Sequence, residues 1–191
     1  MLIHRFPNAK NGVQAPLDDA RQALLLVSEK GFAKDGLGVC GLSSGGHLAA
    51  SLMAEYPSHW NERGSGGLPK LDFMIVGYGS ISTNAVGRQI VKNKTALEPK
   101  EKQELYDTVQ PDVQLIARPR PTFIVYAGND SVVPVVNAYR LANALGERSA
   151  GVELHVFADA PHGFAVDTVD LPVSGWMEMC EKWLKQCNFT D

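Results

Sequence analysis

A six-residue turn, Gly41-Leu42-Ser43-Ser44-Gly45-Gly46, constrains this chain's fold more than any other feature of it. The turn separates a short apolar run, Leu37-Gly38-Val39-Cys40, from a stretch rich in Ala and Leu, residues 44–55, that ends near Pro57. The run reads as a buried strand and the stretch as a helix. A strand that turns so tightly into a helix belongs to a layered α/β architecture, and the remaining pattern agrees with that. Residues 73–76, 122–126 and 152–157 are further buried-strand candidates, too short for core helices. Residues 16–30, 136–146 and 174–187 read as helices, the first stopped by Gly31. Strands separated by helices imply βαβ units, a mostly parallel sheet and helices on both faces.

The 191 residues, 45% hydrophobic and 20% charged, read as a single α/β domain over 1–191. The exception to the pattern is an irregular excursion at about 80–120, which holds loop-like stretches at 84–88 and 93–94 and a polar helix over 99–109. Its mixed charges, Glu98, Lys100, Glu101, Lys102 and Glu104, predict a solvated face. An excursion between two strands, at the C-terminal edge of a parallel sheet, can border a pocket.

The net charge of −3 leaves no electrostatic footprint for nucleic acid and no polybasic surface for a membrane. No apolar run approaches the roughly 20 residues that span a bilayer, and the first seven residues lack the apolar middle of a secretory signal. Three scattered cysteines, Cys40, Cys180 and Cys187, make no disulfide framework. The last two fall about 10 Å apart along one helix, too far to bridge. Reduced thiols and a cytoplasmic location are therefore expected. With Trp176, Trp183 and Leu184, those two cysteines form a helical stripe that reads as core. There is no H-x-x-x-H or C-x-x-C spacing and no phosphate-loop lysine, so neither a metal nor another cofactor is expected.

The turn itself carries the chemical signal. A G-x-S-x-G sequence between a strand and a helix is the context in which a serine can be held up as a nucleophile. Gly41 and Gly45 are expected to supply the room for that turn, and Ser43 is the candidate nucleophile. Ser44 lacks a glycine two residues before it. Its backbone N–H, at the start of the helix, is instead the candidate donor to an oxyanion. A Gly/Ser-rich turn without chemistry stays open as an alternative.

Serine needs a base, and of the five histidines His162 has the most suitable setting. It follows the fourth strand in Ala160-Pro161-His162-Gly163-Phe164, where Pro and Gly shape a loop. His47 is expected to pack or hydrogen-bond locally, His155 lies inside a strand, and His4 and His59 have no supporting context. The carboxylate that would orient His162 is Asp130, directly after the third strand in Gly128-Asn129-Asp130. Asp159 and Asp167 are nearer to His162 in sequence, but neither follows a strand end. The order Ser43, Asp130, His162 is one of three known orders for such a triad, and all three positions fall just past C-terminal strand ends.

In these stretches the chain resembles the α/β-hydrolase superfamily, and within it the esterase/lipase-type acetylesterases similar to acetyl xylan esterases. The likeness runs in the family's order through Ala15-Pro16-Leu17-Asp18-Asp19, Gly41 to Ala50, Pro121 to Asp130, Val133-Pro134-Val135, and Val152 to Phe164. It implies Ser43 as nucleophile, Asp130 as acid and His162 as base. It also implies hydrolysis of short acyl esters, acetylated sugars among them, without a cofactor. Such enzymes carry an H-G-G-G-type loop that completes the oxyanion hole, and nothing before Gly41 matches it. By this likeness the chain starts near the end of the family's fourth strand, without the strands and loop before it. The strand at 37–40 would then be an exposed edge, and a homo-oligomer is expected to cover it.

Three functional readings follow. The first is a serine carboxylesterase working through an acyl-enzyme on small-molecule or saccharide esters. The second is a serine peptidase of the prolyl oligopeptidase type, with the same turn and triad order. The third is a non-catalytic, hydrolase-like binding domain, which the absent upstream loop would favour and the intact Ser/Asp/His set opposes.

Overall fold

The computed structural model describes residues 1–34, 36–60, 68–166 and 168–190. Four strands, β1 (Gly38–Leu42), β2 (Phe73–Gly77), β3 (Thr122–Ala127) and β4 (Val152–Phe157), form one parallel sheet in the order β1-β2-β3-β4. Each crossover steps the chain one position in the same direction. All four C-terminal strand ends therefore open along one rim. β3 is buried at all six positions, as a central parallel strand covered on both faces must be.

The helices are α1 (Ala15–Glu29), α2 (Ser44–Ser51), α3 (Lys100–Thr108), α4 (Pro111–Gln114), α5 (Val136–Glu147) and α6 (Trp176–Gln186). Side chains alternate across the sheet. Phe73 and Phe123 meet Trp183 of α6 at ring-centroid distances of 6.1 and 5.7 Å. Met74, Val76 and Ile124 lie on the opposite face, in a core that takes in Ala50 of α2, Met53 just past its end, and Leu141 and Leu145 of α5. The Trp176, Cys180, Trp183 stripe is buried, as the sequence predicts, and all three cysteines are free.

Helix ends follow from local chemistry. Gly31, at φ 73°, closes α1: its N–H donates to Ser28 O and the next N–H, of Phe32, to Val27 O. That is the double bond pattern of a left-handed glycine cap. α2 is shorter than the predicted 44–55, because Ala54 leaves the helix to bridge Leu115. At the other end of the chain, a 3-10 turn at Pro172–Gly175 occupies what reads as the first turn of the last helix.

The excursion after β2 is more ordered than its sequence suggests. α4 follows α3 directly, and Arg88 holds Asp112 of α4 by two bonds of 2.7 and 3.0 Å. Fully buried Asn137 accepts the Ser82 and Thr83 N–H groups and donates to Thr83 Oγ1, tying the excursion to α5. The charged run is not wholly solvated: Glu101 is buried on the face of α3 that also buries Leu105 and Tyr106. A spacing of four residues puts Glu101 and Leu105 on one side of the helix. A second core of Leu17, Ala20, Leu48, Leu105 and Val109 joins α3 to α1 and α2. Among the described residues no helix is long and apolar enough to cross a membrane.

Candidate active site

Ser43 stands one residue past β1. Its N–H still donates to Gly77 O at 2.9 Å, so the sheet holds the chain up to the turn. Ser43 then adopts φ 54° and ψ −120°, a conformation that side-chain-bearing residues rarely take, and α2 begins at Ser44. The turn needs Gly41, where a Cβ would run into the Gly45 carbonyl and stand 2.9 Å from Ala49 Cβ. Gly45 does not share that role as predicted, since nothing lies within 4 Å of where its Cβ would be. The residue pressed against the sheet is the next one: a Cβ on Gly46 would sit 2.8 Å from Gly79 Cα.

β3 delivers Asp130 and β4 delivers His162. The Asp130 side chain is fully buried and the His162 side chain 20% exposed. Asp130 Oδ1 accepts the Val132 and Val133 N–H groups, both at 2.8 Å, which fixes the carboxylate plane. Its Oδ2 lies 2.7 Å from His162 Nδ1. An ionised carboxylate can only accept, so Nδ1 carries the proton and Nε2 presents a lone pair. Ser43 Oγ is 2.9 Å from that Nε2, and its hydroxyl donates to it. Thus a serine, an imidazole and a carboxylate from three strand ends form one continuous hydrogen-bonded line. This arrangement can take the hydroxyl proton as Ser43 Oγ attacks an electrophilic carbon.

Charge developing on that carbon's oxygen would meet the start of α2. Among the described residues no acceptor takes the Ser44 or Gly45 N–H, and the positive end of the helix dipole lies at the same place.

The other candidates are engaged elsewhere. Buried His47 donates through Nε2 to Val109 O at 2.9 Å, a partner 62 residues away rather than a local one, and burial pushes its pKa down to about 4. Asp159 accepts a bond from Asn129 Nδ2. Asp167 lies outside the described residues. Among the described residues no cluster of His, Cys, Asp or Glu could hold a metal ion. Sequence reasoning missed Tyr78, a buried residue at φ 36° just past β2, whose ring packs on both His162 and Phe164. A lone Tyr after a strand carries no signal by itself.

Residues 8–188 match the prolyl oligopeptidase family over nearly the whole chain. The chain belongs to that family. The chain is also similar to several known proteins. A crystal structure of an acetyl ester-xyloside bifunctional hydrolase from Caldicellulosiruptor lactoaceticus is 28% identical, with a TM-score of 0.69 over 93% of this chain and 67% of that one. A propionate-bound esterase, Est2, from Thermogutta terrifontis is 21% identical, with a TM-score of 0.71 over 93% of this chain and 66% of that one. Endo-1,4-beta-xylanase B from Butyrivibrio fibrisolvens is 28% identical over 173 residues, 84% of this chain. This prolyl oligopeptidase family member spans only 26% of that xylanase. Its fold is that of the α/β-hydrolases.

Proposed function

We propose that the protein is a serine carboxylesterase that hydrolyses short-chain acyl esters, acetyl esters of sugars among them, through an acyl-enzyme. The observation that carries this reading is the 2.9 Å contact between Ser43 Oγ and a His162 Nε2 whose tautomer Asp130 fixes. In the proposed sequence, Ser43 Oγ attacks the ester carbonyl while His162 Nε2 takes its proton. The carbonyl oxygen becomes an oxyanion held by the Ser44 N–H. As the tetrahedral species collapses, the C–O bond to the alcohol breaks and His162 gives that oxygen its proton. A water molecule then repeats the cycle on the acyl-enzyme, releasing the acid and restoring Ser43. Asp130 keeps its negative charge throughout and stabilises the imidazolium.

An ester rather than a peptide substrate is supported by the Caldicellulosiruptor hydrolase, whose acetyl ester chemistry comes with 28% identity. The peptidase reading shares the turn and the triad order and otherwise draws on the family's name. We also propose a cytoplasmic location, a reading that the few, scattered cysteines support.

The test is hydrolysis of p-nitrophenyl acetate by the protein and by Ser43→Ala, beside a peptide p-nitroanilide. The expected result is ester turnover that Ser43→Ala abolishes, with the anilide left intact. Equal rates in the two proteins would overturn the reading in favour of a non-catalytic domain, and Ser43-dependent anilide cleavage in favour of a peptidase.

A further inference from the structure

Among the described residues, the backbone ladder between β3 and β4 ends with the Gly128 N–H, which donates to Phe157 O at 2.7 Å. Beyond that point the two chains run on as separate loops, one carrying Asp130 and the other His162. The triad still requires Asp130 Oδ2 and His162 Nδ1 to meet, at 2.7 Å.

One side chain spans the gap between the loops. Asn129 Oδ1 accepts the Ala160 N–H at 3.1 Å, and Asn129 Nδ2 donates to Asp159 Oδ1. Gly128, Asn129 and Asp130 therefore hold, in step, Phe157, then Asp159 and Ala160, then His162. The amide continues the ladder after the strands have ended.

The residue types suit that role. The Ala160 N–H can only donate and the Asp159 carboxylate can only accept, so the bridging group must accept at one atom and donate at another. An amide does both in one plane, whereas a carboxylate at position 129 would face Asp159 with a like charge. An Asn that merely shapes a turn bonds its own backbone two residues on. These partners lie 30 and 31 residues away. Asn129 and Asp159 are both exposed, so the pair adds nothing to the core. What it fixes is the path of the His162 loop. Ala160 is buried, and Pro161 follows it with no N–H and with φ held at about −65°. A hold on Ala160 is thus passed to His162 through few free rotations.

We propose that Asn129, paired with Asp159, is a positioning residue for the triad. It holds the His162 loop where Nδ1 meets Asp130, and so keeps the proton on Nδ1 and the Nε2 lone pair toward Ser43. The kinetic expectation rests on the esterase reading above. The tautomer does not, because the hydrogen bond made by one ring nitrogen decides where the proton sits, with or without turnover.

The test uses Asn129→Ala, Asn129→Asp, and Asn129→Asp combined with Asp159→Asn. The combined variant reverses the bond between positions 129 and 159 at unchanged net charge and keeps an acceptor for the Ala160 N–H. Thermal melting establishes that each variant is folded. Ring-nitrogen NMR shifts of His162, assigned against His162→Ala, read the tautomer without turnover. Hydrolysis of p-nitrophenyl acetate, with Ser43→Ala as the blank, reads the rate. We expect both single variants to shift His162 toward the Nε2–H tautomer. Their kcat should fall by about tenfold or more with KM within about threefold, the scale of a misplacement of about 1 Å. The combined variant should recover the wild-type ring shifts and most of the kcat. Ring shifts that stay at wild-type values in both single variants overturn the positioning role, and so does a combined variant no better than Asn129→Asp. If the wild type shows no Ser43-dependent turnover, the esterase reading falls, and the ring shifts alone decide the role of Asn129.

Discussion

The ring of Tyr78 meets the imidazole of His162 edge-on, with centroids 5.2 Å apart and planes at 74°. Tyr78 also packs on Phe164, with ring centroids 4.5 Å apart. Trp176 Nε1 donates to Ala165 O at 2.6 Å from the other side. The loop that carries His162 is thus gripped at three successive points by residues from the end of β2 and the start of α6. A histidine on a loop has little intrinsic rigidity, and Asp130 alone fixes only one of its atoms.

Tyr78 therefore sets the reach of His162 Nε2 toward Ser43. Tyr78→Phe keeps the ring edge and should leave kcat within about threefold. Tyr78→Leu fills similar space without a ring face, and kcat should fall by roughly 10–10² while KM changes little, the scale expected from a misplacement of about 1 Å. Steady-state kinetics on p-nitrophenyl acetate, with melting curves to establish folding, checks this. A proportional rise in KM instead would mean that Tyr78 acts on binding.

The glycines of the turn make opposite predictions at adjacent positions. An alanine at Gly46 would force its Cβ to 2.8 Å from Gly79 Cα and 3.2 Å from Gly41 O, both backbone atoms that cannot swing away. Gly46→Ala should cost about 1–3 kcal/mol of stability. Gly45→Ala meets nothing within 4 Å and replaces a glycine inside α2, so stability should hold or rise by up to about 1 kcal/mol. Urea midpoints of the two variants read the difference directly.

These two cases also mark where the sequence stops being informative. All four strands were legible, because three are apolar runs and β4 alternates apolar and polar residues, each bounded by glycine or proline within a few residues. Ser43, Asp130 and His162 could be singled out because each follows such a run, and the structure brings the three together. The contact between Gly46 and Gly79 could not be read, since it depends on where β2 delivers the chain relative to α2. His47 reaches Val109 across 62 residues, a pairing that only tertiary packing assembles. α4, at four residues, is too short to show a helical period. Burial of Glu101 follows from the face α3 presents to its neighbours, which a mixed charge run does not reveal.

β1 pairs with β2 alone, so along its outer side the strand edge has no partner strand among the described residues, and Cys40 on it is exposed. Unpaired edges invite further pairing. We expect a second copy to cover this one, giving twice the monomer mass by light scattering at micromolar concentration. Cys40→Lys places a charge on the edge and should return the monomer. A monomer mass for the unsubstituted protein at all concentrations would exclude self-pairing through β1.

Buried His47 makes stability depend on pH in a definite direction. Its pKa falls from 6.5 to about 4 because burial disfavours the charged ring, and the bond to Val109 O offsets only part of that. The unfolded chain therefore binds a proton below pH 6.5 that the folded protein does not accept until about pH 4. The contribution to stability is complete above pH 6.5 and is lost as pH falls through that window. At about 1.4 kcal/mol per pH unit, the loss approaches roughly 3 kcal/mol by pH 4. His47→Gln keeps a donor for Val109 O and removes the titration. Chemical denaturation of both proteins between pH 7 and pH 4 should give a steeper decline for the wild type, and parallel curves would show that another group controls acid sensitivity.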